Sequence, residues 1–146
     1  MHISTKCSIA VHCLIFIYEY GSTANVTSSL LAKSSGCNAV IIRNILSALK
    51  KGGIIELRPG VGNATLTKDP HDISLHTIFT LLEPNSCQNL IGLHPSPAET
   101  CPVGRNIHQV LSLSYAQVRE DLTRSLQGIR LDTIIDQYHG ILAQEK

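Results

Sequence analysis

Asn38, Val40 and Arg43 lie within six residues of one another and carry three groups suited to reading the edges of base pairs. A carboxamide can pair with adenine, a guanidinium can grip guanine, and a valine can meet a thymine methyl. Upstream, Thr27 and Ser28 open a helical segment, where hydroxyls and free N–H groups favour phosphate. Lys6, Lys50 and Lys51 add cations for backbone contacts, and Arg58 stands where a Gly/Pro-rich turn could carry it into a minor groove. Each residue also has a plain structural use. Asn38 suits a helix N-cap, Lys50 and Lys51 complement the end of a helix dipole, Arg58 makes an ordinary solvated charge, and Val40 could belong to a core.

The cysteines form the second chemical set. Cys7, Cys13, Cys37, Cys87 and Cys101 are odd in number and widely spread, which is not a disulfide framework and suits a reduced, cytoplasmic chain. Cys7 and Cys13 fall on an apolar helix and read as buried, inert thiols. Cys37 and Cys101 stand at helix starts, where the dipole favours thiolate, so both are candidate redox sensors, acting through a disulfide between subunits. The competing use of Cys37 is inert packing in the turn. Cys87, His94 and Cys101 match no standard zinc spacing, so no metal site is expected. The chain has no P-loop, GxGxxG, GxSxG elbow or paired-carboxylate helix, so it is not read as an enzyme.

The elements that must hold these residues follow from periodicity and caps. Ser4 caps a helix over Thr5–Glu19, ended by Gly21. Thr27 caps a short helix to Ser34, with Leu30 and Leu31 inward. Ser34-Ser35-Gly36 makes the turn. Asn38 caps a third helix to Lys51, with Val40 or Ile41, Ile42, Ile45, Leu46 and Leu49 as its buried stripe. Ala32, four residues before Gly36, allows two helices to cross closely, and Gly36 can take the positive φ of the turn. Ile54 to Leu57 and Ala64 to Thr67 then alternate as strands around the Arg58–Asn63 tip. Ser74 caps a helix over Leu75–Leu82, and the proline-rich stretch to Pro102 reads as a loop. A long helix over Val103–Leu126 carries Ile107, Leu111, Val118, Leu122 and Leu126, and Asp132 caps a short last helix. The expected fold is mainly α with a small β-hairpin: a winged helix-turn-helix domain (residues 1–83), a loop (84–102), and a dimerisation helix with a C-terminal helix (103–146).

Charge agrees with this division. Residues 1–68 hold seven basic and two acidic side chains, a net of +5, while the remainder nets −4, although the whole chain is only +1. A basic half is an electrostatic footprint for nucleic acid. The apolar run Ile9–Tyr18 is too short to span a membrane, so no membrane partner is expected.

Ser35-Gly36-Cys37-Asn38, Arg43-Asn44-Ile45-Leu46, Leu49-Lys50-Lys51-Gly52-Gly53-Ile54 and Leu66-Thr67-Lys68-Asp69-Pro70 together resemble the Rrf2 family of bacterial transcription regulators, over nearly the whole chain. The opening Ser4-Thr5-Lys6 and Ile73-Ser74-Leu75 also fit. The resemblance implies a homodimer joined through the long helix and bound to palindromic double-stranded operator DNA, with Asn38, Val40, Arg43, Arg58 and Lys6 at the family's contact positions. Gly62-Asn63-Ala64 replaces the Gly-Gly-Tyr common in the family's wing. Cluster-binding members carry three close cysteines before the long helix. This chain has only Cys87 and Cys101 there, beside His94 and His108, which places it with the cluster-free branch and predicts no iron–sulfur cofactor. The expected function is a DNA-binding regulator, a repressor with a thiol-redox response. The alternative is a winged-helix module that binds protein or small molecules without reading DNA.

Overall fold

The computed structural model describes residues 4–60 and 62–146. Its helices are α1 (Lys6–Tyr20), α2 (Ser28–Ser35), α3 (Ala39–Lys51), α4 (Leu75–Leu82), α5 (Pro102–Gly128) and α6 (Leu131–Gln144). Between α3 and α4 lie β1 (Ile55–Leu57), β2 (Ala64–Leu66) and a 3-10 turn at Pro70–Asp72 that the sequence reading did not anticipate. The strands form one antiparallel hairpin, in register Ile55 to Leu66, Glu56 to Thr65 and Leu57 to Ala64.

Local chemistry explains the helical boundaries. The Thr27 hydroxyl accepts from the Leu30 amide at 3.2 Å, Asn38 Oδ1 from the Val40 amide at 2.8 Å and Ser74 Oγ from the Thr77 amide at 3.1 Å. Each supplies an acceptor to an amide that its helix leaves unpaired. Gly36 ends α2 at φ +68° and its amide returns to the Ala32 carbonyl, the left-handed C-cap expected of the turn. At α1 the N-cap position is Thr5 rather than Ser4, yet Ser4 Oγ still accepts from the Lys6 amide at 3.2 Å. Asp132 does not cap α6. Arg130 occupies that position in an extended conformation, bridged to Ser74, and Asp132 is the second residue of the helix, within its first turn.

Helical geometry decides which apolar residues go in. Leu31 is fully buried, whereas Leu30 is exposed: successive helical residues point about 100° apart, and the short α2 turns only its Leu31 side to the core. On α3 the buried stripe is Ile42, Ile45, Leu46 and Leu49, while Val40 and Ile41 are exposed. The α3 residues pack with Ala10, Cys13, Leu14 and Ile17 of α1, Ile54 and Ile55 of the hairpin, and Ile78 of α4. α6 returns to the same core: Leu131 and Ile135 are buried in it, and the Leu131 amide donates to the Ile73 carbonyl at 2.8 Å.

The long helix differs. α5 packs on α4, and only its Leu126 is buried. Its other face leaves Val103, Val110, Leu113 and Val118 exposed, with Leu113 at 78%. No described helix is long and apolar enough to cross a membrane.

Candidate nucleic-acid interface

The helix-turn-helix and the hairpin enclose a groove of about 420 Å³ lined by Thr27, Ser28, Arg43, Leu46, Ser47, Lys50, Leu57 and Gly62. Three elements build it. The first turn of α2 brings Thr27 and Ser28, the outward face of α3 brings Arg43, Ser47 and Lys50, and the wing closes the far side. Arg43, Ser47 and Lys50 are four and three residues apart, which places them on one helical face opposite the buried stripe. All three are exposed.

The hydrogen bonds fix what each group can still do. Thr27 uses an oxygen lone pair for its cap, so its hydroxyl proton remains to donate. Asn38 likewise uses Oδ1 as the cap acceptor, so its contribution outward is the NH2 group. This weakens the two-point adenine contact read from the sequence and suits a single donated bond better. Val40 is 53% exposed, which removes it from the core and leaves its methyls presented beside Asn38.

Arg58 follows β1 and is exposed, and its backbone closes the wing: its amide donates to the Asn63 carbonyl at 3.0 Å and its carbonyl accepts from the Gly62 amide at 2.9 Å. Gly60 and Gly62 take φ of +79° and +66° within this turn. Lys6 does not join the groove. It pairs with Glu83 at 3.2 Å, and it borders the other flank of α3 beside Ile41 and Asn44. Lys51 is exposed at the end of α3, outside the groove lining.

Two residues that the sequence reading passed over matter here. Ser47 lines the groove, and its i+4 spacing from Arg43 was the available signal. Asn63 anchors the wing: its Oδ1 accepts from the buried Val26 amide at 2.8 Å and its NH2 donates to the Gly21 carbonyl at 3.4 Å. The departure from the family's wing pattern at Asn63 is therefore a structural tie between the wing and the α1–α2 loop. At Gly21 a Cβ would lie 2.5 Å from the Ile17 carbonyl oxygen and 3.1 Å from that of Ala64, so only glycine allows this approach.

The thiols divide by environment. Burial pushes Cys13 up to about 12, with nearby Cys37 adding to the rise. Cys37 is half-buried against the core, and its thiol donates to the Ser35 carbonyl at 3.5 Å. Cys101 is exposed at the N-cap of α5, and the Gly104 and Val103 amides hold its thiol below the usual value. Among the described residues no group of three or more His, Cys, Asp or Glu side chains is arranged to hold a metal ion.

Comparison with known proteins places this geometry. The family model described as "Rrf2: Iron-dependent Transcriptional regulator" matches residues 3–137. YwnA of Bacillus subtilis (strain 168), which carries the name of an HTH-type transcriptional regulator, is 31% identical over 134 residues, spanning 92% of this chain and 97% of its own. Among solved structures, a protein from Lactobacillus plantarum titled as a transcriptional regulator superposes with a TM-score of 0.76 at 26% identity, covering 98% of this chain and 97% of that one. The oxidized form of Staphylococcus aureus CymR gives 0.67 at 18% identity, covering 92% and 96%. T. potens IscR also gives 0.67 at 18%, covering 94% and 88%; these two likenesses are of fold alone. The chain adopts a winged helix-turn-helix fold with a long C-terminal helix and belongs to the Rrf2 family of transcriptional regulators.

Proposed function

We propose that the chain is a cytoplasmic, homodimeric repressor that reads operator DNA with the face of α3 bounded by Val40, Arg43 and Lys50. The observation that carries this reading is the groove itself, where Arg43, Ser47 and Lys50 of α3 meet the Thr27–Ser28 helix start and the wing. α3 enters the major groove, Arg43 grips a guanine edge, Val40 contacts a thymine methyl, and Asn38 donates one bond. Thr27, Ser28 and Lys50 bind phosphates, which fixes register without specifying sequence. Arg58 extends from the wing toward the minor groove. Lys6 takes a phosphate only at the edge of the footprint, because Glu83 already offsets part of its charge.

The dimer forms through α5. Its exposed Val103, Val110, Leu113 and Val118 make an apolar stripe that the chain's own fold does not cover, and a second copy supplies the matching surface. No cofactor is required. An oxidant response attaches most readily to Cys101, whose thiol is both exposed and shifted toward thiolate. The half-buried Cys37 is the second candidate.

The deciding experiment is selection of duplexes from a random pool by the purified chain, followed by footprinting. The expected result is an inverted repeat with half-sites about one helical turn apart. Failure to enrich any sequence, with binding unaffected by salt, would refute the DNA-reading function. Transcription from a promoter carrying the selected site, with and without the protein, decides the sign of regulation.

A further inference from the structure

The outward face of α1 carries a pocket of about 480 Å³ that shares no residue with the DNA-facing groove. Its α1 residues, from Ser8 to Tyr20, recur at three- and four-residue spacing and so share one face, opposite the buried Ala10, Cys13, Leu14 and Ile17. Val11, Ile15 and Phe16 make an apolar floor. Phe16 and Tyr20 set their rings obliquely, centroids 4.8 Å apart, and Tyr138 of α6 adds a third ring to the lining. The chain has only two Phe and four Tyr, yet three of these six meet at one pocket, and none of the three is buried in the core. Glu19 is the lining's only carboxylate, and no Lys or Arg lines the pocket. Its side chain is 22% exposed, its Oε1 accepts from His139 Nε2, and Oε2 has no partner among the described residues. The opposite end is polar: Ser8 is exposed, and His12 Nε2 and Ser34 Oγ bond each other at 2.9 Å, so that imidazole is engaged. The Tyr138 phenol is raised by partial burial, with Tyr20, Glu19 and Glu145 adding to the rise, which marks the negative potential of this end of the pocket.

We propose that this α1–α6 pocket binds a small quaternary ammonium cation with an apolar arm, the arm on Val11 and Ile15 and the charged head against the rings of Phe16, Tyr20 and Tyr138 beside Glu19 Oε2. Each part of the lining selects for that chemistry. Aromatic faces carry the negative side of the ring quadrupole, so they attract a cation held over them. A partly desolvated carboxylate attracts the same charge more strongly than it would in open water. An alkylated cation carries apolar surface that the floor can cover, which an anion or a polar neutral molecule does not offer. A metal ion does not fit, because one carboxylate oxygen falls short of the six to eight oxygen ligands of a hard cation, and no group of three or more His, Cys, Asp or Glu side chains gathers among the described residues. The site stands apart from DNA reading and goes beyond it.

The experiment uses the full chain without DNA, so its result is independent of the DNA-reading function. The probes are the cation 4-(hydroxymethyl)-N,N,N-trimethylanilinium and its neutral isostere 4-tert-butylbenzyl alcohol, which differ only in carbon for the charged nitrogen. Binding is followed by the NMR signals of the Val11 and Ile15 methyls and the Phe16 ring. These signals are expected to shift saturably, with the cation bound about tenfold more tightly than the isostere. Glu19→Gln keeps the side-chain length and an acceptor for His139 but removes the charge. It should lower the cation's affinity about fivefold and leave the isostere's within about twofold. Tyr138→Leu should reduce the preference for the cation about threefold, and Tyr138→Phe, which keeps the ring, should restore it. Melting temperatures close to wild type report that each variant is folded. Equal affinity for cation and isostere overturns the proposal, as does an unchanged preference in folded Glu19→Gln and Tyr138→Leu. Signals that move with protein concentration and ignore the cation would show that a second copy covers this face, and would overturn it equally.

Discussion

Lys50→Gln separates phosphate binding from base reading. Lys50 is exposed in the last turn of α3 and lines the groove beside Thr27 and Ser28. Loss of its favourable place at the helix end costs about 0.3–1 kcal/mol of stability, too little to unfold the domain. The binding effect is larger and has a distinct form. Lys50 lines the groove in each protomer, so a dimer places two of these cations on phosphate. Each neutralised phosphate contributes roughly −0.9 to the slope of log K against log salt. Removing Lys50 from both protomers should flatten this slope by about 1.8. Over the fourfold rise from 50 to 200 mM salt, the wild-type advantage over the variant should therefore shrink by about tenfold. The assay is fluorescence anisotropy on the selected duplex and on single-base variants of it, across a salt series. Affinity should fall evenly on all duplexes. Parallel salt lines for variant and wild type, or a loss confined to one base position, would refute the placement of Lys50 on phosphate.

Three further outcomes follow from particular contacts. Asn63→Ala leaves the fully buried Val26 amide without its acceptor, which should cost about 1–3 kcal/mol in urea denaturation, and Asn63→Asp, which keeps that acceptor but sets a carboxylate oxygen against the Gly21 carbonyl, should recover only part of it. Leu113→Asp, at an exposed position of the α5 stripe, should shift the sedimenting mass from dimer to monomer without unfolding the winged-helix core. The 3-10 turn is tied to α6 by His71 Nδ1 and Asp132 Oδ2 at 2.8 Å. Asp132 raises His71, so that group's contribution is complete below the unfolded imidazole value and is lost as pH rises through the raised folded one. His71 lowers Asp132, whose contribution is present above the unfolded carboxylate value and is lost as pH falls through the lowered one. The tie is thus strongest in mildly acid solution, and Asp132→Asn should flatten the change in melting temperature across both limits.

What the sequence disclosed was what neighbouring residues decide. Thr27, Asn38 and Ser74 act as caps, and Gly36 turns left-handed, because each needs only its own backbone and the next few residues. The α3 polar face was legible for the same reason, since periodicity sets it. The features that escaped are meetings of distant segments. Asn63 reaches Val26 and Gly21, Lys6 meets Glu83, and Cys7 shares a cavity with Cys87. Arg130 shows how such a contact overrides a local signal: Asp132 is the better cap by type, but the bridge from Arg130 to Ser74 fixes where the helix begins. The docking of α6 on the N-terminal core escaped in the same way, because its buried Leu131 and Ile135 show their partners only in space.

The packing also limits how DNA binding could be switched. Moving α3 alone would expose Ile42, Ile45, Leu46 and Leu49, all buried against α1, the hairpin and α4. At about 1.5–3 kcal/mol for each side chain, that motion costs roughly 6–12 kcal/mol, comparable with the entire stability of an ordinary domain. The recognition helix must therefore move with the winged-helix body as one piece. The weaker joint lies at α4 and α5, where Phe79 and Leu122 are only half-buried and Leu126 is the sole buried residue of α5. A change in angle there would carry the two reading heads of a dimer apart or together without disturbing either core. An effector need supply only the difference between two packings of α5 on α4, which places the sensitive region at the joint rather than at the DNA-facing groove.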